Sequence, residues 1–253
     1  MRETVVLSKR LHAVASMVST GNRVCDVGCD HGFVPIYLIQ HKISPYVLAM
    51  DVKEGPLEQA KEHIRAYELA SYIETRLSDG LKAYRIEEAD SLICAGMGGR
   101  LMMQILEADW DKTASFDELI LQPQSEIQQF RCFLRQQGYL FADENMIEED
   151  GKFYPMMKVV KLGKDTKTVP QGDGTDSAEE MTWRQRMEDK YGPLLLQRKC
   201  PVLKRYLERE KCVCEEILGQ LHKQGLKDQK RSERYGEINR QLEDCLKVLA
   251  EIT

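Results

Sequence analysis

Along the first 161 residues the apolar positions switch repeatedly between two periods. Short apolar runs at 23–27, 46–50, 72–77, 90–95 and 117–121 read as buried strands. The intervening stretches, 33–41, 54–70, 98–108 and 124–137, carry helical spacing. Ahead of the first strand, residues 7–19 set Leu7, Leu11, Val14, Ala15 and Val18 on one helical face. Two more strands, 139–148 and 153–161, flank the turn "EEDGK". Strand–helix alternation with short loops predicts an α/β fold, a parallel sheet with helices on both faces. The closing pair of strands predicts an antiparallel edge strand, giving seven strands in all.

The pattern changes after residue 162. "GKDTKTVPQGDGTDSA" (163–178) is polar and rich in glycine, and 163–180 reads as a linker between a domain at 1–162 and another at 181–253. The last region is helical throughout. Leu203, Leu207, Glu210, Cys214, Ile217 and Leu221 step by three and four, as do Tyr235, Ile238, Leu242, Cys245, Leu249 and Ile252. A polar stretch, "HKQGLKDQKRSER", separates them, so the expectation is an antiparallel coiled-coil hairpin.

Composition narrows the setting. With 42% hydrophobic and 30% charged residues the chain is globular in type, and it has no apolar run of transmembrane length. Its first residues lack the apolar core of a signal peptide, so a cytoplasmic protein without a membrane partner, a monomer or weak dimer, is expected. The 8 cysteines are scattered, several within apolar elements, and are expected as reduced, buried thiols with no metal site. Net charge is −5, unevenly spread: residues 1–180 carry 20 Lys and Arg against 29 Asp and Glu, residues 181–253 carry 16 against 12. An acidic body with a basic tail is compatible with an RNA partner, although a solvated helix face gives the same count.

Chemistry concentrates where strands run through glycine turns into helices. The first loop, "DVGCDHG", has Gly28 and Gly32 with Asp30 between them. A dinucleotide fingerprint needs three spaced glycines for a pyrophosphate, which a carboxylate at this place would repel. Asp26 and Asp30 suit a ligand bearing an ammonium or sulfonium, and S-adenosylmethionine has both and no phosphate. Asp51, ending "VLAMD", is placed to accept from ribose hydroxyls, and Asp79 of "SDG" from an adenine amine. With His31, Val52, Gly80, Ala95 and Met97 these residues form the expected donor site. The fourth strand ends in "AGMGG", whose glycines, Gly96 among them, let backbone approach a ligand and adopt positive φ. The fifth ends in "LQPQ", where the Gln122 carboxamide can both donate to and accept from a base edge.

In order along the chain, "LSKRL", "DVGCDHG", "DGL", "AGMGG", "LILQPQ" and "EEDGKFY" resemble the bacterial tRNA adenine-N1 methyltransferases that act at position 22. The likeness covers residues 7 to about 161, with the helical hairpin similar in kind. It implies a Rossmann-like, seven-stranded class I methyltransferase domain, a C-terminal coiled coil, S-adenosylmethionine as donor and the D-arm of tRNA as substrate. Two positions depart from the family's pattern. Gln124 stands where the family usually has Asn, and Cys29 where it has a small hydroxyl residue. If that Asn contacts the base, the longer Gln changes the geometry; if it caps a helix, little changes.

Adenine N1 carries a lone pair at neutral pH, so orientation rather than an activated nucleophile is the main requirement. The methylated ring sheds a proton from N6, for which Asp30 and the Gly96 carbonyl compete as acceptors, with Gln122 holding the base edge. His31 reads equally well as a base or as a packing residue. The base must be extruded or the RNA opened. Candidate clamps on the RNA backbone are Arg2, Lys9 and Arg10 near the start and Lys204, Arg205, Lys227, Lys230, Arg231 and Arg234 in the hairpin. The alternatives are a small-molecule S-adenosylmethionine methyltransferase, which leaves the hairpin unexplained, and a non-catalytic RNA-binding protein, in which the four acids would have no reason to persist.

Overall fold

The computed structural model of the chain describes residues 4–161, 178–224 and 229–253. Two compact units divide it, Met1–Gly172 and Asp173–Thr253. Most of the 163–180 stretch expected as a linker lies outside the described residues.

In the first unit the strands are β1 (Val24–Val27), β2 (Val47–Asp51), β3 (Ile73–Leu77), β4 (Ser91–Met97), β5 (Glu118–Pro123), β6 (Tyr139–Glu149) and β7 (Lys152–Lys161). The helices are α1 (Lys9–Ala15), α2 (Phe33–Gln40), α3 (Glu54–Ala66), α4 (Gly99–Ala108), α5 (Trp110–Thr113) and α6 (Ile127–Gln136). They form one seven-stranded sheet of order β3-β2-β1-β4-β5-β7-β6. The first five strands are parallel, and β7 runs antiparallel to both β5 and β6. The antiparallel strand is therefore not at the edge, as the hairpin pattern predicted. β7 inserts between β5 and β6, and β6 takes the edge.

Central strands are buried along their whole length because helices cover both faces. Val24, Ala49, Ile93 and Ile120 point to a core shared with α1, α2 and α3. Their neighbours Cys25, Leu48, Leu92 and Leu121 point to a second core under α4 and α6. α1 opens at Ser8, whose hydroxyl accepts from the Leu11 N–H, and so begins two residues later than the apolar pattern suggests. Near the N-terminal end of the sheet, Glu118 accepts from the Ser19 N–H and hydroxyl and from the Ser91 hydroxyl, at 2.7–2.8 Å. It also pairs with the Lys158 ammonium at 2.6 Å. One buried carboxylate thus ties together the chain after α1 and three strands.

The second unit is helical: α7 (Ala178–Tyr191), α8 (Pro193–Gln197), α9 (Pro201–Gln224) and α10 (Gln229–Ile252). α9 and α10 pack side by side, burying Leu203, Leu207 and Cys214 with Ile238, Cys245 and Val248. Glu210, on the apolar seam of α9, is a polar hub. Its carboxylate receives the Lys190 ammonium and the Gln241 amide at 2.7 Å and the Tyr191 hydroxyl at 2.9 Å, joining α7 to both long helices.

Candidate active site

A cavity of about 310 Å3 opens where the parallel strands end. α1 contributes Arg10 and Leu11 to its wall, β1 contributes Asp26, and the β1–α2 turn contributes Gly28, Cys29, Asp30 and His31. Asp51 comes from β2, Ile93, Ala95, Gly96 and Met97 from β4, and Gln124 from the loop after β5. The β1 turn is folded against β2: the Gly28 and Cys29 N–H groups both donate to the Met50 carbonyl. Gly28 has φ +79, and a Cβ there would meet Met97 Cε at 2.2 Å. The left-handed φ is what favours glycine here, since the Met97 methyl is the flexible tip of a side chain and could move aside.

Acid dominates the electrostatics. Asp26 is only 5% exposed. Burial pushes its carboxyl up to about 7, and the charges of Asp51 and Asp30 add to the effect. Asp51 is more committed, with one oxygen accepting from the Lys53 N–H at 2.9 Å and the other from the Asp30 N–H at 3.2 Å. Asp30 itself adopts φ +50 and stands at the rim, its carboxylate exposed and 3.6 Å from His31 Nε2. Behind the rim, His63 Nδ1 lies 2.9 Å from the His31 carbonyl, and the His63 ring stacks on Phe33. The Cys29 thiol is raised by burial and by these same carboxylates, so it is a packing group rather than a thiolate. The cavity is short of positive charge where Asp26 and Asp51 converge.

The second glycine turn divides its labour. Of its three glycines only Gly96 has positive φ, +80, and only it borders the cavity. Gly98 and Gly99 are small for packing, since a Cβ on Gly99 would meet the Ser125 carbonyl oxygen at 2.5 Å. Over Gly96 two side chains converge: an added Cβ would lie 3.3 Å from Arg10 Nη1 and 3.7 Å from Gln124 Nε2. The Gln124 N–H donates to the Met97 carbonyl, which holds the residue at this spot.

The family of methyltransferase domains matches residues 7–157. The tRNA (adenine(22)-N(1))-methyltransferase of Bacillus subtilis (strain 168) is 38% identical over 151 residues, 60% of this chain. That alignment spans 63% of the relative, less than two thirds of its length. The crystal structure of the Bacillus subtilis M1A22 tRNA methyltransferase TrmK is 30% identical and superposes with a TM-score of 0.79, over 96% of this chain and 99% of that one. The chain belongs to the TrmK family. Streptococcus pneumoniae Sp1610, solved in complex with S-adenosyl-L-methionine, is likewise 30% identical, with a TM-score of 0.78 over 96% of this chain and 100% of its own.

Within this TrmK-family domain the sequence-derived residues fall into three groups. Asp26, Gly28, Asp30, His31, Asp51, Ala95, Gly96 and Met97 share the cavity. Val52, Asp79 and Gly80 do not line it: Val52 faces solvent, and the exposed Asp79 carboxylate pairs with Lys82 at 2.5 Å. Gln122 is the third case. It is fully buried, its Oε1 accepts from Arg10 Nη1 at 2.9 Å, and its amide donates to the Pro123 carbonyl at 3.0 Å. With both ends engaged, it holds Arg10 instead of facing the cavity.

Gln124 occupies the place first given to Gln122, and α6 is capped at Glu126, so Gln124 is not the helix cap. Arg10, expected as a backbone clamp, lies inside the cavity wall, while Lys9 stays exposed. Arg205, Lys230, Arg231 and Arg234 are exposed on α9 and α10 and Lys204 is half-buried; Arg2 and Lys227 lie outside the described residues. Pattern reading passed over Leu11, Phe33, Ile93 and His63. Their apolar or packing character gave no sign that strand ends and α1 would bring Leu11, Phe33 and Ile93 to one opening with His63 behind its rim.

Proposed function

We propose that this chain transfers the methyl group of S-adenosylmethionine to N1 of adenine 22 in the D-arm of tRNA, in the cytoplasm. The observation that carries this reading is the buried, uncompensated carboxylate of Asp26, set with Asp51 in a cavity beside the open backbone of Gly96. A cationic donor fits that charge deficit, and a diphosphate-bearing cofactor does not. Asp26 and Asp51 would hold the donor. S-adenosylmethionine supplies a methyl already activated by its positive sulfur.

The chain's remaining task is placement. Gly96 leaves room for an acceptor atom, and the Gln124 carboxamide above it offers a donor and an acceptor to a base edge. Asp30 and His31 at the rim are the groups available to take the N6 proton and pass it to solvent. The test uses purified protein, labelled S-adenosylmethionine and unmodified tRNA transcripts. One labelled adenine with a reverse-transcription stop at position 22, and none in a transcript with guanine there, is the expected result. Donor binding without labelling of any tRNA would move the small-molecule reading forward. Replacing Lys227, Lys230, Arg231 and Arg234 together by Gln should weaken tRNA binding and flatten its salt dependence. Unchanged binding would remove the hairpin from RNA recognition.

A further inference from the structure

We propose that a second cleft, between Gln124 and Tyr154, seats the nucleotide that receives the methyl, with the Tyr154 ring as its stacking face. The proposal rests on the methyltransferase reading above. The cleft measures about 330 Å3 and is lined by Pro123, Gln124, Ile127, Lys152, Phe153 and Tyr154. It shares Gln124 with the donor cavity, and the Gln124 amide nitrogen lies beside Gly96.

Their walls differ in kind. Three aspartates line the donor cavity, whereas the cleft has two aromatic rings, an exposed lysine and no acid. A planar base with an attached phosphate meets both needs of such a wall: a π-face for stacking and a cation for the anion. The Tyr154 ring is half-buried, packed beside the core under α1 and α2 while bordering the cleft. Arg10 already lies over it, with Cζ 5.6 Å from the ring centroid, while its Nη1 is held by Gln122. Arg10, part of the donor-cavity wall, thus reaches the Tyr154 ring that lines the cleft, and Gln124 is the residue common to both. The strand pairing sets Tyr154 opposite Ile147 in the β6–β7 hairpin, on a rigid ladder instead of a loop.

The test compares Tyr154→Phe, which keeps the π-face, with Tyr154→Leu, which keeps bulk without it. Tyr154→Phe should methylate tRNA within about twofold of wild type, and Tyr154→Leu should lose about 10–100-fold in kcat/KM for tRNA. Donor affinity and melting temperature should be unchanged in both. Independently of turnover, tRNA with 2-aminopurine at position 22 should show different bound-state emission with wild type and Tyr154→Leu. Equal kcat/KM and equal emission for the two would overturn the cleft assignment alone. Wild-type protein that labels no tRNA would overturn the methyltransferase reading with it.

Discussion

Near the N-terminal end of the sheet Glu118 is 4% exposed, and among the ends facing the cavity Asp26 is 5% exposed. By burial they are the same kind of residue. Burial works against ionising Glu118, yet Lys158, Ser19 and Ser91 hold its carboxyl below the usual carboxylate range. Asp26 has other acids as its charged neighbours, and no cation among the described residues faces it. A buried carboxylate with its counter-charge built in serves the fold, and one left without it keeps a place for a ligand. The difference separates architecture from function more sharply than burial or residue type does.

Four experiments sharpen or break this contrast. Removing the Glu118 side chain leaves the largely buried Lys158 ammonium with only the neutral Met17 carbonyl and Ser19 hydroxyl as acceptors, so Glu118→Ala should cost about 3–5 kcal/mol in urea unfolding. A loss well under that would mean those two neutral acceptors suffice for Lys158 and the hub is dispensable. Asp26→Asn should act in the opposite sense. The folded carboxyl titrates at about 7, above the ordinary 3.8, so the native state holds the extra proton between those values and stability falls as pH rises from 3.8 to 7. Asn should remove that slope and leave the protein no less stable at pH 8, while weakening donor binding about 10–100-fold. Donor affinity of the wild type should climb as pH rises toward 7 and level off above it, since a cation binds the ionised form. Calorimetry showing a flat profile would take Asp26 out of the binding site. The smallest effect belongs to Arg23→Ala. Its pairing with Asp90 is half exposed, and about 0.5–1 kcal/mol is expected in the same unfolding assay.

Much of the fold was legible because strand and helix periods are local properties. The order of the last two strands was not, since a hairpin pattern does not say which of its arms meets β5. α7 was equally obscure: Trp183, Met187 and Tyr191 fall on one face of an otherwise polar helix, and only the Glu210 hub and the Trp183–Asp244 bond at 2.6 Å reveal why they matter. At the site the acids were found from the loops that carry them. Gln122 and Gln124 were confused because both are amides flanking one proline. Gln122 shares its strand face with Ile120, where the incoming Arg10 of α1 covers it, a contact 112 residues apart. Asp79 stands outside the cavity lining and pairs with Lys82, and in sequence an acid after a strand looks alike whichever way it faces.

The insertion of β7 between β5 and β6 also sets a timetable for a chain emerging from the ribosome. β1 to β5 can assemble as a parallel sheet, but β6 arrives with no strand beside which to dock. Until the last residues of β7 appear, the Leu119–Leu121 edge of β5 is a bare apolar strand and Glu118 is without Lys158. Synthesis interrupted before residue 158 therefore leaves an adhesive, half-finished product, and a single late hairpin closes the edge and completes the buried ion pair together.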